Sequence, residues 1–237
     1  MIDKDKVKAF WDARAATYER LNFDSIANLE QDPENLALKT RLESEKVFQY
    51  LGDLHGKTIL DLGAGVGQWA FRFIDRGAAS VTAVEYSAAL ASVGRTEATR
   101  RGITNVDFVV SAAEDFLTPT QFDIVFISGL FVYMNDDQST RFMLNLPTFC
   151  RGSTSVLLRD GTGIEGRHEI NDKLSGHLGV RYSATYRTAD DYLRMFDAAG
   201  FACVKHENMF TDECVLNKYR ETRLRIYLFQ GSGHAKG

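Results

Sequence analysis

Apolar residues along the chain follow two rhythms that take turns. Short, nearly continuous apolar runs at 58–62, 80–85, 106–110, 122–127 and 155–159 read as strands buried on both faces. Between them, apolar residues recur at helical spacing over 67–76, 87–101 and 137–150. Strand and helix in alternation predict an α/β fold with a doubly wound, mostly parallel sheet and helices on both faces. A helix over 189–199, stopped by Gly200, then precedes two alternating runs, 201–210 and 221–230. These predict a closing antiparallel pair, for seven strands in all. Ahead of the first strand, Val7, Phe10, Trp11, Ala15 and Tyr18 predict an amphipathic helix over 6–20. Pro33, following Asp32, opens a second helix over 33–51. The expected organisation is a helical cap over 1–56, a core over 57–230 and a disordered tail over 231–237.

The connection at 160–188 breaks this rhythm. It is about thirty residues long, where strand-to-helix links usually take about 2–6. It follows the fifth strand at the carboxyl edge of the sheet, where open α/β sheets bind ligands. Its histidines, tyrosines and arginines in a glycine-rich setting, His168, Tyr182, Tyr186 and Arg187 among them, predict a pocket for a small polar molecule. A surface hairpin or an oligomer contact is the alternative.

The first strand runs into Asp61-Leu62-Gly63-Ala64-Gly65-Val66-Gly67 and then a helix. This is the strand, glycine turn and helix of a nucleotide-binding crevice. A dinucleotide fingerprint would place its third glycine at position 68, which is Gln68. Asp61 at the turn would also repel a pyrophosphate resting on the helix N-terminus. A ligand with a ribose and a cationic amino-acid tail would find that carboxylate attractive, and S-adenosylmethionine (SAM) is such a ligand. Glu85 ends the second strand twenty residues beyond Gly65, where a carboxylate can accept from both ribose hydroxyls.

With these motifs the chain resembles the class I SAM-dependent methyltransferases of the small-molecule type. Asp61 to Gly67 matches their first motif and Glu85, followed by Tyr86, their second. The segment 106–116, with Ala113 and Glu114, matches the third-strand region that brackets adenine. The segment 122–129, ending in Ser128 and Gly129, matches the strand that passes under the methionine part of the cofactor. The resemblance implies that the run 10–18 forms a lid, in which Trp11, Arg14 and Tyr18 approach the cofactor. Two departures stand out. Ala112 replaces a common acid, leaving adenine to Glu114 or Asp115, and Phe131-Val132-Tyr133 replaces a common histidine pair. Phe131 is then expected on the acceptor wall with Tyr182, Tyr186 and Arg187, and Asp160, Tyr133 and His168 are the candidate bases for an O or N nucleophile.

Charge and composition narrow the field. A net charge of −4 argues against a nucleic-acid footprint. Three cysteines without metal or redox spacing fit a reducing cytoplasm. No apolar run approaches the roughly 20 residues that span a bilayer. His168 and His177 lack ligand spacing, so no metal is expected. The expected partner is a small methyl acceptor, with S-adenosylhomocysteine (SAH) as the other product. A non-catalytic SAM-binding subunit and an NAD(P)-dependent oxidoreductase remain as rivals.

Overall fold

The structure, a computed structural model, describes residues 2–16, 23–174 and 181–231. Its helices are α1 (Lys4–Ala15), α2 (Phe23–Ile26), α3 (Pro33–Leu51), α4 (Gln68–Asp75), α5 (Ala88–Arg101), α6 (Asp136–Asn145) and α7 (Ala189–Ala198). Its strands are β1 (Thr58–Leu62), β2 (Ser80–Glu85), β3 (Val106–Val110), β4 (Phe122–Ser128), β5 (Cys150–Gly163), β6 (His168–Leu174), β7 (Arg181–Tyr186), β8 (Phe201–Asn208) and β9 (Thr222–Gly231). Seven strands form one sheet in the order β3-β2-β1-β4-β5-β9-β8, and β6 and β7 pair separately. The pairings from β3 through β5 are parallel, and β9 runs antiparallel to both its neighbours. This is the Rossmann-like sheet expected from the alternation, and its order reverses between β1 and β4.

Two apolar layers sandwich the sheet. Trp69, Phe71 and Phe73 of α4 pack with Phe126 and Leu157 on one face. Phe142, Tyr192 and Phe196 of α6 and α7 pack with Leu158 and Phe229 on the other. Caps fix where the helices begin. Asp32 accepts from Asn35 N at 2.8 Å, Ser87 from Leu90 N at 3.1 Å and Thr188 from Asp191 N at 3.1 Å.

The long connection differs from its expectation. β5 runs on to Gly163, and His168–Leu174 and Arg181–Tyr186 pair antiparallel as β6 and β7, with His168 opposite Tyr186. The hairpin alternative was therefore correct, although the segment also supplies walls to the cavity described below. Of the expected tail, Gly231 is the last residue of β9; the remainder lies outside the described residues. α1 begins at Lys4 rather than residue 6, because Asp3 caps it by accepting from Asp5 N and Lys6 N.

Candidate functional site

The β1–α4 turn needs its glycines. Gly63, Gly65 and Gly67 take φ of 78°, 59° and 82°, left-handed values that disfavour a Cβ. At Gly67 a Cβ would also stand 2.5 Å from the Phe108 ring, and at Gly65 2.9 Å from Ala27. Gly67→Ala is expected to cost about 2–4 kcal/mol from dihedral strain plus overpacking, read as a lowered denaturation midpoint. A midpoint unchanged from wild type would contradict that packing.

The turn borders a cavity of about 400 Å³ at the carboxyl ends of the parallel strands. Gly63, Ala64, Gly65, Glu85 and Tyr86 line its β1–β2 side, with Ala113 and Glu114 beyond them. Ser128, Gly129, Tyr133, Asp160 and Tyr186 line its β4–β5 side. Its third boundary is helix α1, which presents Lys4, Val7, Lys8 and Trp11 on one face. Trp11 meets the Tyr133 ring edge-on at 5.8 Å, and Phe10 meets the Tyr182 ring at 6.4 Å. The N-terminal helix and the hairpin thus touch through aromatic rings.

Glu85 is buried, and its carboxylate accepts from Gly65 N at 2.8 Å and Ser87 N at 2.7 Å. It therefore pins the glycine turn as well as facing the cavity. Asp61 lies one layer behind the wall and is 1% exposed. Neither of its oxygens has a hydrogen-bond partner among the described residues. Burial, followed by repulsion from Glu85, pushes its carboxyl up to about 8, against a weaker pull from the Ala70 backbone N–H. Glu114 accepts from Gln138 Nε2 at 2.8 Å and from Lys4. Burial would raise its pKa, yet these donors hold it below the ordinary value. Asp115 is exposed and paired with Arg141 at 3.3 Å, so of the two acids only Glu114 reaches the cavity.

Asp160 is fully buried at the cavity floor and accepts from Phe131 N at 2.7 Å and its neighbour Gly161 N at 2.8 Å. Burial pushes it up to about 7, against those donors and the Arg187 and Arg159 guanidiniums. Tyr133, Tyr182 and Tyr186 have their hydroxyls in series, 3.5 Å and 3.3 Å apart. Burial raises all three, so they are hydrogen-bond donors at neutral pH and Tyr133 is a poor base.

Several expected site residues are elsewhere. Arg14 does not line the cavity; its guanidinium donates to the carbonyls of Ile26, Ser25 and Asn28 and so ties α1 to the end of α2 and the residues just after it. Phe131 is buried between Phe142, Tyr192 and Phe196, a core ring rather than a pocket wall. Arg187 donates to the carbonyls of Phe131 and Met134 and pairs with Asp136, holding the turn after β4 instead of a ligand. His168 packs on the Tyr186 ring at 5.9 Å, away from the cavity wall. Tyr182 stands behind Tyr133 and Tyr186, and Gly67 starts α4 behind the turn. Tyr18 and His177 lie outside the described residues. In the other direction, Lys4, Lys8, Lys39, Glu43 and Arg159 line the cavity without having been singled out. The spacing of Lys4, Val7, Lys8 and Trp11 on one helix face carried a readable signal for the first two.

Residues 59–151 match the model of a family described as a methyltransferase domain. No curated protein matches the chain in sequence. Among solved structures, the DhpI–SAH complex is similar at a TM-score of 0.66 and 19% identity, over 94% of this chain and 95% of that one. The Burkholderia thailandensis 1,6-didemethyltoxoflavin-N1-methyltransferase, with bound 1,6-didemethyltoxoflavin and S-adenosylhomocysteine, gives 0.66 and 14% over 97% and 90%. The [4+2]-cyclase SpnF gives 0.63 and 19% over 79% of each chain. At these identities the likenesses show the fold, and SpnF shows that the fold also serves an enzyme named for a different reaction.

Proposed function

We propose that this chain, which carries a methyltransferase domain over residues 59–151, transfers the methyl group of SAM to an oxygen or nitrogen of a small molecule. The observation that carries the reading is the continuity of one cavity. It runs from the glycine turn and Glu85, at the ends of β1 and β2, to Asp160 on β5 with Tyr133 and Tyr186 beside it, and α1 borders it. A cleft of about 400 Å³ suits a cofactor tail and a small acceptor, in the range of about 300–1,000 Å³ common for ligand sites.

The residues present fit the cofactor. Gly63, Gly65, Glu85, Glu114 and Tyr86 all line the cavity; on this reading the glycines let a nucleoside approach the backbone, Glu85 accepts from the ribose hydroxyls, and Glu114 and Tyr86 take adenine. Asp61, mostly protonated behind the turn before ligand binds, ionises as a cationic tail arrives, which favours that tail over a pyrophosphate. When bound, SAM supplies an electrophilic methyl carbon on a positively charged sulfur. The protein's task is then alignment within about 3–3.5 Å, where proximity is worth about 7–11 kcal/mol. Trp11, Tyr133 and Tyr186 fix the acceptor's plane and hydroxyl contacts. Asp160, poised near 7 by burial, takes the proton from a hydroxyl or ammonium nucleophile.

A screen of metabolites for consumption of methyl-labelled SAM tests the reading, with SAH binding followed by calorimetry. Binding of SAH with labelled product from one acceptor supports it; binding of NADH in place of SAH overturns it. With that acceptor, kcat/KM should rise with pH and level off above about 7. In Asp160→Asn the rising limb should vanish and the rate fall by about 10²-fold. An unchanged pH limb would remove Asp160 as the base.

A further inference from the structure

Facing the tyrosines, the cavity has a cationic wall for which methyl transfer alone supplies no use. Lys39 on α3 and Arg159 on β5 both line it, with Glu43 between them. Arg159 pairs with Glu43, and its Nη1 donates to Ser128 Oγ at 2.8 Å. Lys39 Nζ donates to Asn28 Oδ1 at 2.9 Å and stands 4.0 Å from Glu43. Burial and the neighbouring Arg159 lower the Lys39 pKa against the pull of Glu43. Lys39 and Arg159 therefore share one carboxylate, at side-chain exposures of only 22% and 11%. The Nε–H of Arg159 is buried and has no hydrogen-bond partner among the described residues. Other charges on this wall bring their own counter-ions: Lys218 pairs with Glu30 at 2.7 Å and Arg72 with Asp24 at 2.9 Å. Arg223 donates to the carbonyls of Tyr219 and Thr222 and adds a further positive charge. A half-buried excess of cations with an orphaned guanidinium N–H is costly unless an anion completes it.

We propose that Lys39 and Arg159 form an anion subsite that receives a carboxylate or phosphoryl group of the methyl acceptor. The inference rests on the function proposed above. The cofactor's own carboxylate has the same chemistry, but β5 stands two strands from β1, about 10 Å from the turn. On that spacing we assign Arg159 to the acceptor, its guanidinium donating to Ser128 Oγ and lying 6.0 Å from the Trp69 ring. The acceptor is then a small acid whose anionic group is anchored here while its oxygen or nitrogen nucleophile points towards Asp160 and Tyr133.

Inorganic phosphate is the probe, titrated by calorimetry and thermal denaturation into protein saturated with SAH. The expected result is phosphate binding on top of SAH. It should weaken about tenfold or more in Lys39→Met and in Arg159→Met, with SAH affinity within about threefold of wild type. Arg159→Lys, which keeps the charge where the Glu43 pair is needed for folding, should retain most of the binding. Phosphate that competes with SAH, together with loss of SAH affinity in both variants, would assign the subsite to the cofactor's carboxylate and overturn the proposal. Phosphate binding unaltered by the variants, or absent, also overturns it while leaving the cofactor reading intact. Failure of wild-type protein to bind SAH at all would instead sink the proposed function and this inference with it.

Discussion

Asp61→Asn is expected to raise thermal stability at pH 8 while removing most of the affinity for SAM. The folded chain holds this carboxyl at 1% exposure, without a hydrogen-bond partner among the described residues, and pushed from 3.8 to about 8. In the unfolded chain it ionises near its ordinary value, so between about pH 4 and 8 the folded state binds more protons. The favourable contribution is complete below about pH 4 and is lost as pH rises through about 8. Near neutrality the cost is on the order of 4 kcal/mol. Asparagine does not ionise and escapes most of it, for a net gain of about 2–4 kcal/mol after its own unsatisfied amide. That corresponds to a denaturation midpoint several degrees higher.

Binding should move the other way, because a cationic ligand at the turn stabilises ionised Asp61 and lowers its pKa. Wild-type affinity for SAM should therefore rise from pH 6 to 8 with release of a proton, and the variant should show neither effect. SAM should lose more than SAH, since the sulfonium adds a charge that SAH lacks. Calorimetry in buffers of different ionisation enthalpy reads the proton directly. Equal SAM affinity and equal pH dependence in the two proteins would end the electrostatic account of this turn. A lowered midpoint would end the account of its cost.

The parallel half of the sheet was readable because local and global signals agree there. β1, β2 and β3 have the expected bounds, since each is a short apolar run closed by a glycine turn, a helix cap or a polar loop; β3, at the sheet edge, buries only Phe108 rather than both faces. The helix at Pro33–Leu51 was fixed by Asp32 before Pro33 and by Gly52 after Leu51, at φ 68°. The hairpin was harder. Its strands alternate only loosely, and Asp172 at φ 47° accompanies a register shift between Ile170 and Lys173. A glycine-rich stretch then reads as loop, although Gly163 lies within β5 and its absent Cβ lets the Gly166 backbone close in.

Site residues divided along a different line. Backbone-turn chemistry is local, so Gly63, Gly65 and Glu85 were found from spacing alone. The aim of a long side chain is a tertiary matter. Arg14 and Arg187 are guanidiniums in the right neighbourhood whose donors satisfy backbone carbonyls, and nothing in their sequence context distinguishes that from a ligand clamp. Lys39 and Arg159 were missed for the converse reason. Lys39 lies one helical turn from Glu43, but Arg159 is about 120 residues beyond Lys39 on a strand, and only the fold brings it to the same carboxylate.

Glu85→Ala is expected to destabilise the protein, opposite in sign to Asp61→Asn, while also costing at least about 100-fold in SAH affinity. The two acids lie close enough to repel one another, but their surroundings differ. Glu85 accepts from Gly65 N at 2.8 Å and Ser87 N at 2.7 Å, so alanine leaves two donors without their acceptor, at about 1–3 kcal/mol each. Gly65 is held at φ 59°, and the turn loses a contact that fixes that conformation. The ligand also loses an acceptor; burial raises the Glu85 pKa against the backbone N–H groups that hold it, and each hydrogen bond lost is worth about 0.5–3 kcal/mol depending on its charge. Glu85→Gln keeps one oxygen but turns an amide N–H₂ towards one of the donors, so affinity should fall in the order Glu, Gln, Ala. An SAH analogue lacking both ribose hydroxyls separates the two roles, because it cannot use the carboxylate directly. If Glu85 contacts the ribose, the analogue should bind wild type weakly and lose much less than SAH does on mutation. Equal losses for both ligands would mean that Glu85 acts only by holding the turn.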